Sequence, residues 1–151
     1  MDKDFALIFY DQHKNQMMTE IKKCNELTGI YSLSLNEEQI CLLLDARRQA
    51  LKDTGRIEFG NGILKKLIEA FCDCPYINQE NYASVLMDLQ DLFYYFKGEC
   101  LEALSDDELI EAMKNYFNTT AQGSMDYLAA LSIEELCDSD THEHSDEPFE
   151  Y

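Results

Sequence analysis

Hydrophobic residues along this chain recur at intervals of three and four, the spacing of an amphipathic helix. The densest pattern lies in 56–97 and predicts two helices, 62–72 and 78–97, joined by a corner that contains cysteine and Pro75. Their predicted apolar faces consist of Ile63, Leu64, Leu67, Ile68 and Phe71, and of Tyr82, Val85, Leu86, Leu89, Leu92, Phe93 and Phe96. We expect these two helices to form the centre of the core.

Further helices are predicted on both sides of this centre. One helix covers 12–27, with Leu27 at the edge of its apolar stripe, while the apolar run 4–10 is too short to assign by period. The next helix starts at a capping box, either Ser34 with Glu37 or Asn36 with Gln39. A second box, Ser105-Asp106-Asp107-Glu108, starts a fifth helix, and a short segment follows over 124–131.

These patterns predict an all-α fold, a single bundle of about five to six helices that occupies 1–137. The remaining segment, 138–151, contains six acidic residues and little that could be buried, so we expect a disordered acidic tail.

Charge is distributed unevenly along the chain. The net charge of the 151 residues is −18, yet 1–66 contain ten acids and ten bases, whereas 67–151 contain twenty acids and only two bases. Such a field repels nucleic acid and anionic lipid and attracts basic surfaces. We therefore expect no direct nucleic-acid binding and no membrane association.

The spacing of the polar residues limits the chemistry that they can perform. Cys72 and Cys74 could bind zinc together with Cys100 and a histidine, but one intervening residue is too few for the common zinc knuckle, and we favour buried structural cysteines. No hydrolase, metalloprotease or nucleotide-binding motif can be assembled. We expect a protein without enzymatic activity, metal or other cofactor.

The segment 59–62, Phe-Gly-Asn-Gly, has two interpretations. It could bind a small anion at a helix N-terminus with help from Lys65 and Lys66, or it could simply form a tight turn. We favour the turn, because no strand precedes it and the spacing of a P-loop is absent.

A partner-binding surface is predicted on the helix 78–97 and the segment after it. Phe93 and Phe96 fit the core, which would leave Tyr94 and Tyr95 partly exposed as anchors of an interface, unless a neighbouring helix covers them. Nearby carboxylates complete the predicted site: Asp88, Asp91, Glu99, Glu102, Asp106, Asp107, Glu108 and Glu111.

Several segments carry a resemblance to a known family. The sequences at 10–12, 56–82 and 89–97, followed by Ser-Asp-Asp-Glu-Leu-Ile-Glu-Ala-Met at 105–113, resemble an uncharacterised bacterial family of unknown function over about 5–130. The resemblance implies no activity, and the acidic end after Leu131 looks unlike the family pattern. A member carried by a phage or other mobile element is one interpretation.

The charge distribution favours a cytoplasmic inhibitor or adaptor that docks on a basic, nucleic-acid-binding surface of a partner protein, in the manner of DNA mimics and anti-CRISPR proteins. One alternative is a subunit of a bacterial assembly that acts through an apolar helix face, for which a homodimer is possible. A small-ligand pocket or an enzyme between the helices is a further alternative, although no motif indicates one.

Overall fold

The computed structural model describes residues 2–58, 60, 62–100 and 104–131, with the side chains of 2–13 and of Cys100 outside that description. Within these residues the chain forms six α-helices, one 3₁₀ turn and no strand, which confirms the all-α prediction. The helices are α1 (Asp2–Thr28), α2 (Glu37–Thr54), α3 (Gly62–Phe71), α4 (Tyr82–Cys100), α5 (Asp106–Asn118) and α6 (Met125–Ala129). The predicted tail 138–151 lies outside the described residues.

Local capping signals determine where several helices begin and end. Of the two boxes predicted for α2, the structure has the one at Asn36, whose side chain accepts from the Gln39 backbone N–H. Gly55 ends α2 with a positive φ of 69°. The box at Ser105 starts α5 as predicted, and Ser124 caps α6.

Two helices differ in length from their predictions. Helix α1 includes the unassigned run 4–10 and continues as one helix from Asp2 to Thr28. Helix α4 begins at Tyr82 rather than near 78, because Asn78 and Asn81 each accept a hydrogen bond from the backbone N–H of the other and hold 78–81 as a turn. It then continues through Gly98 to Cys100, beyond the predicted end at Lys97.

The helices pack around the predicted centre. Helices α2 and α3 each contact both α1 and α4, α5 packs on α3 and α4, and α6 packs on α4 and α5. The predicted apolar face of α3 is fully buried, and that of α4 is buried except for the half-buried Leu92. Leu27, predicted at the core edge, is exposed instead because it lies where α1 ends and no described helix covers it.

Helices α2 and α4 run in parallel, which brings segments distant in the chain together at their N-terminal ends and along their length. The Gln79 side chain exchanges hydrogen bonds with the backbone of Ser34, at 2.8 and 3.0 Å. Further along, the buried Gln90 amide donates to the Leu43 carbonyl at 3.1 Å. This arrangement fixes which faces of α4 are covered and which face solvent.

Candidate partner-binding surface

One face of α4 points to solvent and carries most of its acidic residues. Asp88, Asp91, Tyr95 and Glu99 are all exposed and lie at intervals of three and four, so they form one stripe along the helix. Tyr95 is 57% exposed, as expected for a candidate anchor. We call these four residues the acidic stripe.

Helix α6 adds two residues that the sequence did not single out. It packs on α4, and its exposed Asp126 lies close enough to Asp88 for the two carboxylates to repel each other. The next residue, Tyr127, is also largely exposed. The cap at Ser124 predicted this helix, but no local signal in the sequence places it beside α4.

The carboxylates of this surface disfavour one another's ionised form. Partial burial raises the pKa of Asp88 above its ordinary value, and the charge of Asp126 raises it further. Partial burial likewise raises the pKa of Asp91, with the charge of Asp88 as the second cause. No ion pair joins these three aspartates to another described residue, so a cationic partner would relieve their repulsion.

The prediction that Tyr94 is partly exposed is wrong. Tyr94 is only 3% exposed, and its hydroxyl donates a 2.8 Å hydrogen bond to Oε1 of Glu58. The physical reason is that helices cover α4 on several sides, so its buried arc includes Gln90 and Tyr94 as well as the apolar stripe. Of the two predicted anchors, only Tyr95 is available to a partner.

Glu58 is the centre of a buried network of charges. Its carboxylate accepts from Arg47 Nε at 3.2 Å and from Arg56 Nε at 2.8 Å, while its side chain is 4% exposed. Arg56 also reaches Asp106 at 2.8 Å, and Asp106 in turn pairs with Lys97 at 3.2 Å. The network therefore joins α2, the 55–61 loop, α4 and α5.

The predicted carboxylates of α5 are mostly matched within the molecule. Asp106 belongs to the Glu58 network, and Asp107 pairs with Lys66 at 2.9 Å. Glu108 accepts from the Ser105 backbone N–H in the capping box, whereas Glu111 is exposed beside a groove between α3 and α5. Glu102 lies outside the described residues, so the structure brings only part of the predicted site together.

Comparison with known proteins gives a family and no function. Residues 20–146 match a family of unknown function (DUF6323). The chain belongs to this family. The suspected relationship is thus confirmed, and the match runs from 20 to 146, so it starts later than 5 and extends past Leu131. No curated protein and no solved structure matches the chain.

The cysteine corner of this DUF6323 chain is buried, as the structural interpretation predicts. Cys72 and Cys74 are free thiols, and burial raises the pKa of Cys74 to about 11. Asp73 between them is exposed and pairs with Lys114 at 3.0 Å. Among the described residues, no three His, Cys, Asp or Glu side chains are grouped to hold a metal ion.

In the glycine segment of the DUF6323 chain, Gly62 lies against the Glu58 network. Gly60 and Gly62 have positive φ values of 59° and 53°, while Phe59 and Asn61 lie outside the described residues. A Cβ at Gly62 would lie 2.0 Å from Glu58 Oε1 and 2.8 Å from Arg47 Nη2. The α3 N-terminus therefore already faces an internal carboxylate, which favours the turn over the anion site.

Two shallow grooves occur on the described surface of the DUF6323 chain. One, of about 440 Å³, lies between α1 and α3, and the other, of about 360 Å³, lies between α3 and α5. Both are lined by lysine and acidic side chains together with apolar groups, Leu27 in the first groove and Ala70 and Ile110 in the second. None of the helices in the described part of the chain is long and apolar enough to cross a membrane.

Proposed function

We propose that this protein is a non-catalytic interaction protein whose acidic stripe, with Asp126 and Tyr127 of α6, occupies a basic surface of a partner protein. The observation that supports this most is electrostatic. The stripe carries mutually repelling carboxylates at the surface, whereas Asp106 and Asp107 of α5 are paired with bases of the same molecule. A partner's lysine or arginine residues would remove that repulsion on binding.

The partner surface is one that otherwise binds nucleic acid, as in an inhibitor that mimics DNA. Asp88 and Glu99 are separated by eleven residues, or about 16 Å along the helix axis at about 1.5 Å per residue. One DNA strand presents about five phosphates over that length, at about 3.4 Å each. The stripe and Asp126 supply four carboxylates, a comparable number, and Tyr95 and Tyr127 add aromatic anchors.

Binding by this surface has a definite pH dependence. A cationic partner stabilises the ionised carboxylates and so lowers their raised pKa values. Complex formation therefore releases protons where Asp88 and Asp91 titrate, and affinity rises with pH through that range. High salt weakens binding, because ions screen the charges of both surfaces.

The test uses nucleic-acid-binding proteins from a bacterial lysate, which are enriched on heparin and then passed over the immobilised chain. We expect specific retention, release by added duplex DNA, and loss of retention in a variant with four neutral substitutions: Asp88→Asn, Asp91→Asn, Glu99→Gln and Asp126→Asn. A control variant removes the same charge elsewhere on the described surface: Glu26→Gln, Glu38→Gln, Asp53→Asn and Glu80→Gln.

An equal loss of retention in both variants would show that net charge, and not the acidic stripe, accounts for capture. Retention that duplex DNA does not displace would contradict the nucleic-acid-binding character of the partner surface. Either outcome would reject the proposed inhibitor.

A further inference from the structure

We propose that two copies of this chain associate through the C-terminal end of α1. The surface, here called the α1 patch, consists of Leu27, Ile30 and Tyr31 together with the adjoining groove between α1 and α3. The inference concerns a different face from the acidic stripe and does not depend on the function proposed for that stripe.

The apolar part of the α1 patch consists of three exposed residues that are close together in the chain. Leu27 is 44% exposed, Ile30 73% and Tyr31 44%, and the three lie within five residues where α1 passes into the 3₁₀ turn Gly29–Tyr31. Other large exposed hydrophobic residues among those described are spread singly over several segments: Leu42, Ile57, Tyr76, Tyr95 and Tyr127. Single exposed residues are ordinary, but a contiguous group indicates an interaction surface.

The polar part of the α1 patch is complementary to itself. The groove is lined by Glu20 and Lys23 from α1 and by Lys65 and Glu69 from α3, one acid and one base on each helix. No ion pair joins Lys23, Lys65 or Glu69 to another described residue. In a two-fold contact the same surface meets itself, so Lys23 or Lys65 of one copy can face Glu69 of the other.

The charge of the whole molecule favours a second copy at this place over the acidic surfaces. Each chain carries −18, so two copies repel each other wherever their acidic surfaces meet. The α1 patch has equal numbers of acids and bases in its groove, and α1 packs on α2 and α3 rather than beside the acidic stripe. Two chains joined here would keep both stripes free.

This geometry predicts an unusual effect of salt. Raising the salt concentration from about 0.01 M to about 1 M shortens the Debye length from about 30 Å to about 3 Å and screens the repulsion between the two chains. Salt also screens the lysine–glutamate pairs of the groove, but these are far fewer than the charges that repel each other, and the apolar contacts do not weaken in this way. Dimerisation should therefore strengthen with salt, whereas binding of a basic partner by the acidic stripe should weaken.

The experiment measures the mass of the purified full chain by light scattering, from about 1 to about 100 µM, a range that separates weak from stable homodimers. We expect a concentration-dependent rise from 17.5 kDa to twice that value, more complete at high salt. Ile30→Asp should weaken dimerisation by about tenfold or more, because it places a charge in the apolar centre of the contact.

Ile57→Asp is the matched control, since Ile57 is 80% exposed in the 55–61 loop, away from the α1 patch. It should leave dimerisation unchanged. Circular dichroism verifies that each variant keeps its helices, and Tyr31→Ser replaces Ile30→Asp if the latter loses them.

Three results would overturn the inference. The first is a wild-type chain that stays monomeric over the whole range, and the second is an equal effect of Ile30→Asp and Ile57→Asp. The third is a dimer that dissociates as salt is raised. None of these results bears on capture of a basic partner, so the two proposals fail separately.

Discussion

Glu58 shows how one buried charge constrains its neighbours. Its carboxylate is almost fully removed from water and accepts from Arg47, Arg56 and Tyr94. A buried ion is tolerated only when its hydrogen-bonding capacity is filled, because its desolvation is otherwise not compensated. Arg47 is less completely matched, since its Nη2 has no hydrogen-bond partner. Each donor to Glu58 therefore has a measurable effect on stability.

Tyr94→Phe tests this at a single atom. The substitution removes the hydroxyl that donates to Glu58 and leaves the ring in place. We expect the free energy of unfolding to fall by about 1–2 kcal/mol, the usual cost of leaving a buried acceptor with one partner fewer. Urea unfolding followed by circular dichroism measures it. Tyr95→Phe is the control and should change nothing, so equal effects would refute the assignment of Tyr94 to the network.

Helix ends and buried faces differ in how much of them is encoded locally. The boxes at Asn36 and Ser105 involve residues three apart, and the apolar period of α3 lies within ten residues, so the sequence predicted them. The burial of Tyr94 depends on a loop that is 36 residues away, and the pairing of Asp106 with Arg56 spans 50 residues. No local pattern contains such contacts, which is why the predicted site was only partly assembled.

Gly98→Ala tests the extension of α4 beyond its predicted end. Gly98 lies inside the helix with a solvent-exposed Cα, and an added Cβ would meet nothing within 4 Å. Alanine is the better helix former, so the free energy of unfolding should rise by about 0.5 kcal/mol. Thermal unfolding measures the gain. A loss of stability would indicate that α4 ends before this residue.

Asp88→Asn tests the repulsion on the acidic stripe. Because the folded state raises the pKa of Asp88, the ionised carboxylate disfavours folding at neutral pH. The substitution should raise the free energy of unfolding by about 0.3 kcal/mol at pH 7, the size expected for a like-charge pair on a helix. The gain should shrink as pH falls through the raised pKa and vanish below the ordinary pKa of aspartate, where the wild-type side chain is neutral in both the folded and the unfolded state.

The control for Asp88→Asn is Asp107→Asn, which removes a carboxylate that is paired with Lys66. It should give no gain at any pH. A gain of the same size in both variants would show that the total charge matters and that the position of the carboxylate does not.

At the scale of the whole molecule, the uneven charge along the chain is partly cancelled by folding. Arg56 and Lys66 from the neutral half pair with Asp106 and Asp107 from the acidic half. The negative charge that these pairs do not cancel is that of the carboxylate surface of α4 and α6, together with other acidic residues of the chain. This difference between matched and unmatched acids is the basis of the proposed function.

The excess charge should also destabilise the fold itself. Raising salt from about 0.01 M to about 0.15 M shortens the Debye length from about 30 Å to about 8 Å and screens this self-repulsion. We expect the melting temperature to rise, and to rise less in the variant that neutralises Asp88, Asp91, Glu99 and Asp126. A fall with salt would mean that the internal ion pairs outweigh the repulsion.

Gly62 has a consequence for how related sequences can diverge. Any side chain at this position would collide with both Glu58 and Arg47, and its positive φ of 53° already disfavours other residues. Gly62 therefore cannot be replaced while Glu58 and Arg47 both remain. Across the family, replacement of Gly62 should occur together with loss of Glu58 or Arg47, and an alignment in which Gly62 is replaced while both are kept would contradict this coupling.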